Sequence, residues 1–151
     1  MISIILTAQD DPRPLARLLA ALVPAAADGL VKEVAVVATE GPSRTLADDA
    51  GADLHASFAE ALAAARGDWL AGLPLSAVFV TDWMDQVAQH LAREPPAPAR
   101  LTARPAGLSL GASPEGWLVP RRLLAAGAAE QDVQRLARRG GGRRLRILDR
   151  R

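Results

Sequence analysis

The residues of this chain that could do chemistry are mostly charged, and few of them cluster at spacings that chemistry uses. Asp10-Asp11 could bind a cation, but the pair stands directly before Pro12 and is accounted for by a helix start, with Asp11 as the cap. Asp48-Asp49, with Asp53 nearby, reads as a helix end and its solvated loop. The two histidines, His55 and His90, have no third ligand at metal-binding spacing. His55 falls near the end of a short strand, close to where a ligand would lie, and reads as structural. His90 reads as a solvated residue of a surface helix. Zero cysteines exclude disulfides, thiolate–zinc sites and thiol nucleophiles. Arginine is dense towards the C-terminus: Arg135, Arg138, Arg139, Arg143, Arg144 and Arg146 flank Gly140-Gly141-Gly142. Glycine amides and guanidinium groups suit phosphate, yet the stretch lacks G-x-x-x-x-G-K-[ST] spacing and follows a helix, so a helix-to-strand turn is expected. With no Tyr in the chain and no aromatic residue among these arginines, base stacking is poorly served and nucleic acid is not the expected partner. No G-x-G-x-x-G follows the first apolar run, which counts against a dinucleotide oxidoreductase.

The elements that must position these groups are easier to read. Residues 2–7 form a β-branched run of buried-strand length. Pro12 then opens a helix whose Leu15, Leu18, Leu19 and Leu22 share one face. Residues 34–38 read as a second buried strand, and Gly41-Pro42-Ser43 as the start of a short helix ending near Ala50. "GADLHA" suggests a brief third strand. Phe58, Ala61, Leu62 and Ala65 mark the next helix, closed by Gly67, and residues 69–73 a further strand. Asp82 is placed to cap a helix through Met84, Val87 and Leu91. "REPPAPARLTARPAG" is a proline-rich break that no regular helix can occupy. Beyond it come a short strand over 116–119, a helix start at Pro120, a helix over 130–139 and a strand over 145–148. Alternating strands and helices predict an α/β fold, a Rossmann-like, mostly parallel sheet in three αβα layers. Ligands of such sheets bind beyond the carboxyl ends of the strands, so the loops over 7–11, 38–43 and 74–81 matter most.

Composition agrees with one domain: 151 residues, half of them hydrophobic, 3% aromatic, net charge +1. The expected division is a βαβ half over 1–93, a proline-rich connection over 94–106 and a basic part over 107–151. The N-terminus has no basic stretch before its short apolar run, and no run approaches a membrane span, so a cytoplasmic protein is expected.

The order of segments resembles the family 2 glycosyltransferases, whose fold is called GT-A. "ISIILTAQD" is similar to their opening V-S-V-I-I-P-T-Y-N pattern, and "EVAVVATEGPSRTL" to E-V-I-V-V-D-D-G-S-T-D-G-T-L. "AARGDWLAGLPLSAVFVTDW" lies without gaps on A-A-R-G-E-W-L-L-F-L-D-A-D-D-V-L-P-P-D-W, with Arg66-Gly67-Asp68-Trp69 and Asp82-Trp83 the most specific parts. "GWLVPRRLLAAGAAEQDVQRLARRGG" resembles the late strand and helix that carry an acidic pair. Since family domains are longer, the resemblance implies a truncated fold.

It also implies nucleotide contacts from Thr7 and Gln9, from Thr39, which with Ala38 stands where the family has two aspartates, and from Ser76. The metal-holding D-x-D falls on Pro74, Leu75 and Ser76, so no divalent cofactor is expected. The catalytic base falls nearest Asp132, with Glu130 next. Arginines would then neutralise phosphate, with Arg121 and Arg122 chosen from a set that includes Arg104, Arg143 and Arg144. A bridging metal is worth several kcal/mol at the transition state. At about 4 kcal/mol, doing without it slows transfer roughly a thousandfold. The implied function is sugar transfer from a nucleotide sugar to an unknown acceptor, weak or metal-independent. The alternative is an inactive GT-A-like scaffold meeting a protein partner, or a second copy of itself, through an exposed patch of Leu75, Ala77, Val78 and Phe79.

Overall fold

The run Ile2–Thr7 forms β1, buried along all but its last residue, as continuous β-branched sequence dictates. In this computed structural model, which describes residues 1–103, 115–139 and 143–149, every expected strand forms, as does every expected helix but the one at Pro120, and one further strand joins them. Helix α1, Pro12–Ala27, starts where Asp11 accepts a hydrogen bond from the Arg13 amide at 3.0 Å. Strand β2, Val31–Val37, begins three residues earlier than expected. Helix α2 (Pro42–Asp49) leads to β3 (Asp53–His55) and α3 (Phe58–Ala64). Two side chains tie down the start of α3: Ser57 accepts from the Glu60 amide at 3.2 Å, and the Glu60 carboxylate accepts from the Ala56 amide, one residue before the cap, at 2.9 Å. Strand β4 (Trp69–Gly72) and helix α4 (Trp83–Leu91) follow. Asp82 sits at the α4 cap position without a capping side-chain bond, unlike the expectation.

The proline-rich segment does more than connect. It carries β5, Ala99–Ala103, whose Ala99, Leu101 and Ala103 point into the core. Strand β6 is Glu115–Pro120, and the helix expected at Pro120 is a single 3-10 turn, Arg121–Leu123, because Leu124 returns to extended backbone. Helix α5 (Glu130–Arg139) and strand β7 (Arg144–Leu148) complete the described chain.

The strands form one seven-stranded sheet in the order β3-β2-β1-β4-β6-β5-β7. Strand β1 lies parallel to both β2 and β4, whereas β6 runs antiparallel to β4 and β5. Period-two alternation splits the core between the two faces. Ile4, Leu6, Ala71 and Leu118 pack with Leu15, Leu18 and Leu22 of α1, Ala47 of α2 and Val87 of α4. Ile5, Leu70, Trp117 and Val119 pack with Ala61 of α3 and with Val133 and Ala137 of α5. Among the described residues no helix is long and apolar enough to cross a membrane.

At the amino edge of the sheet, Glu33 organises a polar knot with a side chain only 6% exposed. It accepts from the Ser3 hydroxyl, the Arg66 amide and the Arg66 Nε, each at 2.5 Å. Burial alone would raise its pKa, but those donors and the Arg66 charge together hold it below the ordinary carboxylate value.

His90 is not solvated. It is 2% exposed, meets Trp69 edge-on at 5.6 Å, and donates from Nε2 to the Ala97 carbonyl at 2.8 Å. Burial depresses its pKa below 6.5; the Ala97 bond opposes this, and the charges of Arg143 and Arg93 add to it. Below pH 6.5 the unfolded chain therefore takes up a proton that folded His90 refuses, and stability falls. The melting temperature is expected to drop between pH 7.5 and 5.5, with a shallower slope in His90→Gln; identical slopes in thermal melts would remove His90 as the source.

Candidate functional site

Strand order reverses at β1: the chain runs outwards through β2 and β3, then returns to lay β4 on the other side. Such a switch point opens a crevice at the carboxyl ends of the flanking strands. A cleft of about 390 Å³ lies there, lined by Thr7 at the end of β1 and Gln9 beyond it, by Leu73 to Ser76 after β4, and by Trp117 of β6. Pro14 and Arg17 of α1 face it, as do Glu115 of β6 and Glu130 and Gln134 of α5.

Gly72 and Trp117 shape its floor. A Cβ on Gly72 would come within 2.3 Å of the Trp117 indole, so only glycine lets that ring lie across the end of β4. The ring is fixed from behind by Phe58 of α3, edge-on at 6.2 Å.

The loop after β4 turns inwards. Ala77 donates its amide to the Pro74 carbonyl at 2.9 Å, and Leu75 and Ala77 are buried, leaving Ser76 exposed. The following residues are strapped to β7: the Val80 amide donates to Ile147 at 2.9 Å, and the Asp149 amide to Val78 at 2.6 Å. Phe79 stacks on Trp83 at 4.2 Å. This corrects the expected exposed patch: Leu75 and Ala77 complete the core, and Val78 and Phe79 are half-buried against β7 and α4.

The structure sorts the remaining expected site residues. Thr7, Gln9, Ser76 and Glu130 share the cleft. Thr39 is exposed at the end of β2 and does not line it. Its loop is nonetheless tied to the cleft: the buried Ser43 hydroxyl donates to the Gln9 carbonyl, and Arg44 donates to the Ala38 carbonyl at 3.0 Å. Asp132 is exposed and paired with Arg135 at 3.3 Å, away from the lining. Glu130 lines the cleft, and its carboxylate accepts from Gln134 at 3.3 Å. The assignment of Arg121 and Arg122 to phosphate is also corrected. Arg121 donates its amide to the Asp68 carbonyl at 2.9 Å and its guanidinium to the Ala65 carbonyl. Both arginines border a separate cavity at the amino end of β4, the opposite edge of the sheet. Arg144 begins β7, an outermost strand, neither it nor Arg143 lines the cleft, and Arg104 and the glycine turn 140–142 lie outside the described residues.

The sequence reading missed Arg17, Gln134 and Glu115. Arg17 lies one turn after Pro14, off the Leu15-Leu18-Leu22 stripe, a signal visible only once the cleft is known. Glu115 is already matched, by Arg100 and, at 4.0 Å, by Arg138. The residues after β4 do not fit a resident divalent ion, since Pro74 and Leu75 offer no side-chain donor and Ser76 one hydroxyl. Among the described residues no three His, Asp or Glu side chains converge elsewhere.

Neither a family model nor a curated protein matches the sequence. Solved structures do. Glucosyl-3-phosphoglycerate synthase from Mycobacterium tuberculosis, in complex with Mn2+, UDP and glucosyl-3-phosphoglycerate, superposes with a TM-score of 0.58 at 17% identity. Mannosyl-3-phosphoglycerate synthase from Rubrobacter xylanophilus does so with a TM-score of 0.65 at 13% identity. This is a GT-A fold. In both comparisons 82% of this chain is covered, but only 58% and 54% of the other, so the GT-A domain here spans little more than half the length of these proteins.

Proposed function

We propose that this GT-A domain transfers a sugar from a nucleotide-sugar donor to an acceptor hydroxyl, slowly and without a divalent metal. One observation carries the reading: Glu130 lines the same cleft at the switch point as Thr7, Gln9 and Ser76. In this reading Thr7, Gln9 and Ser76 hold the nucleotide, with Thr39 at the rim. Glu130 takes the acceptor proton as the nucleoside diphosphate leaves. The metal-holding carboxylates that the family pattern places after β4 are here Pro74-Leu75-Ser76, which is why metal dependence is not expected.

That same loop favours a second reading, an inactive GT-A-like scaffold. The exposed apolar patch expected at 75–79 is reduced, because Leu75 and Ala77 are committed to the core and Phe79 packs against it and bridges to β7.

Release of nucleoside diphosphate from a panel of nucleotide sugars separates the two. Phosphoglyceric acid, present in a solved complex of the M. tuberculosis synthase, is the first acceptor to supply. Slow release that persists in EDTA is expected. Stimulation of roughly a thousandfold by Mn2+ would overturn metal independence, being the full effect of a bridging metal. No release, with no thermal shift from any nucleotide, would favour the scaffold.

A further inference from the structure

We propose that Arg17 anchors the diphosphate of a nucleoside diphosphate in this cleft, doing from helix α1 what the loop after β4 has no groups to do. The inference rests on the nucleotide-sugar reading above. Leu15, Leu18 and Leu22 turn to the core, which sets Pro14, Arg17 and Ala21 as a row alongside the loop after β4. Arg17 lines the main cleft and also a neighbouring cavity of about 300 Å³, bordered by Ala77, Phe79 and Trp83. It therefore stands at the junction of the two, beside the 74–77 turn.

Charge singles it out. Arg17 is the one cation among the residues lining the main cleft, and its side chain makes no hydrogen bond or ion pair among the described residues. Other arginines are engaged: Arg13 with Asp11, Arg66 with Glu33, Arg100 with Glu115, Arg135 with Asp132. Of the two carboxylates in the cleft, Glu115 is matched by Arg100 and Glu130 is bonded to Gln134. A guanidinium left open in the same cleft as the Thr7 and Ser76 hydroxyls offers forked donors to phosphate oxygens, with neutral donors lining the cleft as well. A nucleoside diphosphate fits this set better than a neutral sugar, which has no charge for the guanidinium to meet.

Calorimetric titration of UDP, GDP and ADP in EDTA tests this on four proteins: the parent, Arg17→Gln, Arg17→Lys and, as a control from the opposite edge, Arg122→Gln. Arg17 is exposed, so its variants are expected to melt with the parent. Arg17→Gln is expected to weaken the bound nucleotide about tenfold or more, the scale of a lost charged hydrogen bond. It should also flatten the salt dependence, with Arg17→Lys intermediate and Arg122→Gln unchanged. Equal affinity in the parent and Arg17→Gln would overturn the assignment while the nucleotide-sugar reading stands. A parent protein that binds none of the three would overturn that reading, and the assignment with it.

Discussion

Glu130→Gln is expected to lower the rate of sugar transfer by roughly 100- to 10,000-fold, the range over which a positioned general base contributes. The substitution keeps the shape of the side chain and a partner for Gln134, but removes the carboxylate that takes the acceptor proton in the proposed function. Nucleotide affinity should change little, because the neutral amide still fills the same place. The informative comparison is Asp132→Asn. Asp132 points into solvent against Arg135, and its neutral variant is expected to keep the parent rate. Single-turnover rates for the three proteins decide the matter. A Glu130→Gln protein as fast as the parent, or an Asp132→Asn protein slowed a hundredfold, would move the base back to Asp132.

A second large effect is expected on stability. Gly72→Ala sets a methyl carbon 2.3 Å from the Trp117 indole, inside any allowed contact. Trp117 is buried and held by Phe58, so it has little room to retreat. Overpacking of this kind costs about 1–3 kcal/mol. For a domain of this size the melting temperature then falls by roughly 2–12 °C. Because the clash lies between two named side chains, it should be relieved by shrinking the second. Gly72→Ala combined with Trp117→Phe is expected to lose less stability than the two single changes summed. Additive losses would place the strain elsewhere, for instance in the β4–β6 register.

What the residues disclosed in advance, and what they hid, follows the range of the forces involved. Strand β1 and helices α1 and α5 were legible because apolar periodicity and the Asp11-Pro12 start are local signals. Strand β5 was hidden: Ala99 to Ala103 is five residues of ordinary alternation set among prolines, and only pairing with β6 and β7 makes it a strand. That Glu130 rather than Asp132 lines the cleft was also readable in principle. At about 100° per residue, Glu130 and Gln134 flank the stripe made by Val133 and Ala137, whereas Asp132 falls on the far side. The burial of His90 could have been suspected from Val87 one turn earlier, but its partners, Trp69 and Ala97, belong to other elements. Arg121 and Arg122 were misplaced because an arginine pair after a strand looks alike at either edge. The antiparallel course of β6 sends its last residues away from the cleft.

That reversed strand also bears on synthesis. The 115–120 stretch is the lateral partner of the central 69–72 segment, and it supplies Trp117 and Val119 to one half of the interior. Until it leaves the ribosome, the nascent polypeptide would carry an open ribbon edge with unshielded apolar side chains, the situation that invites aggregation. Halting translation early should therefore yield sticky fragments rather than a smaller working unit.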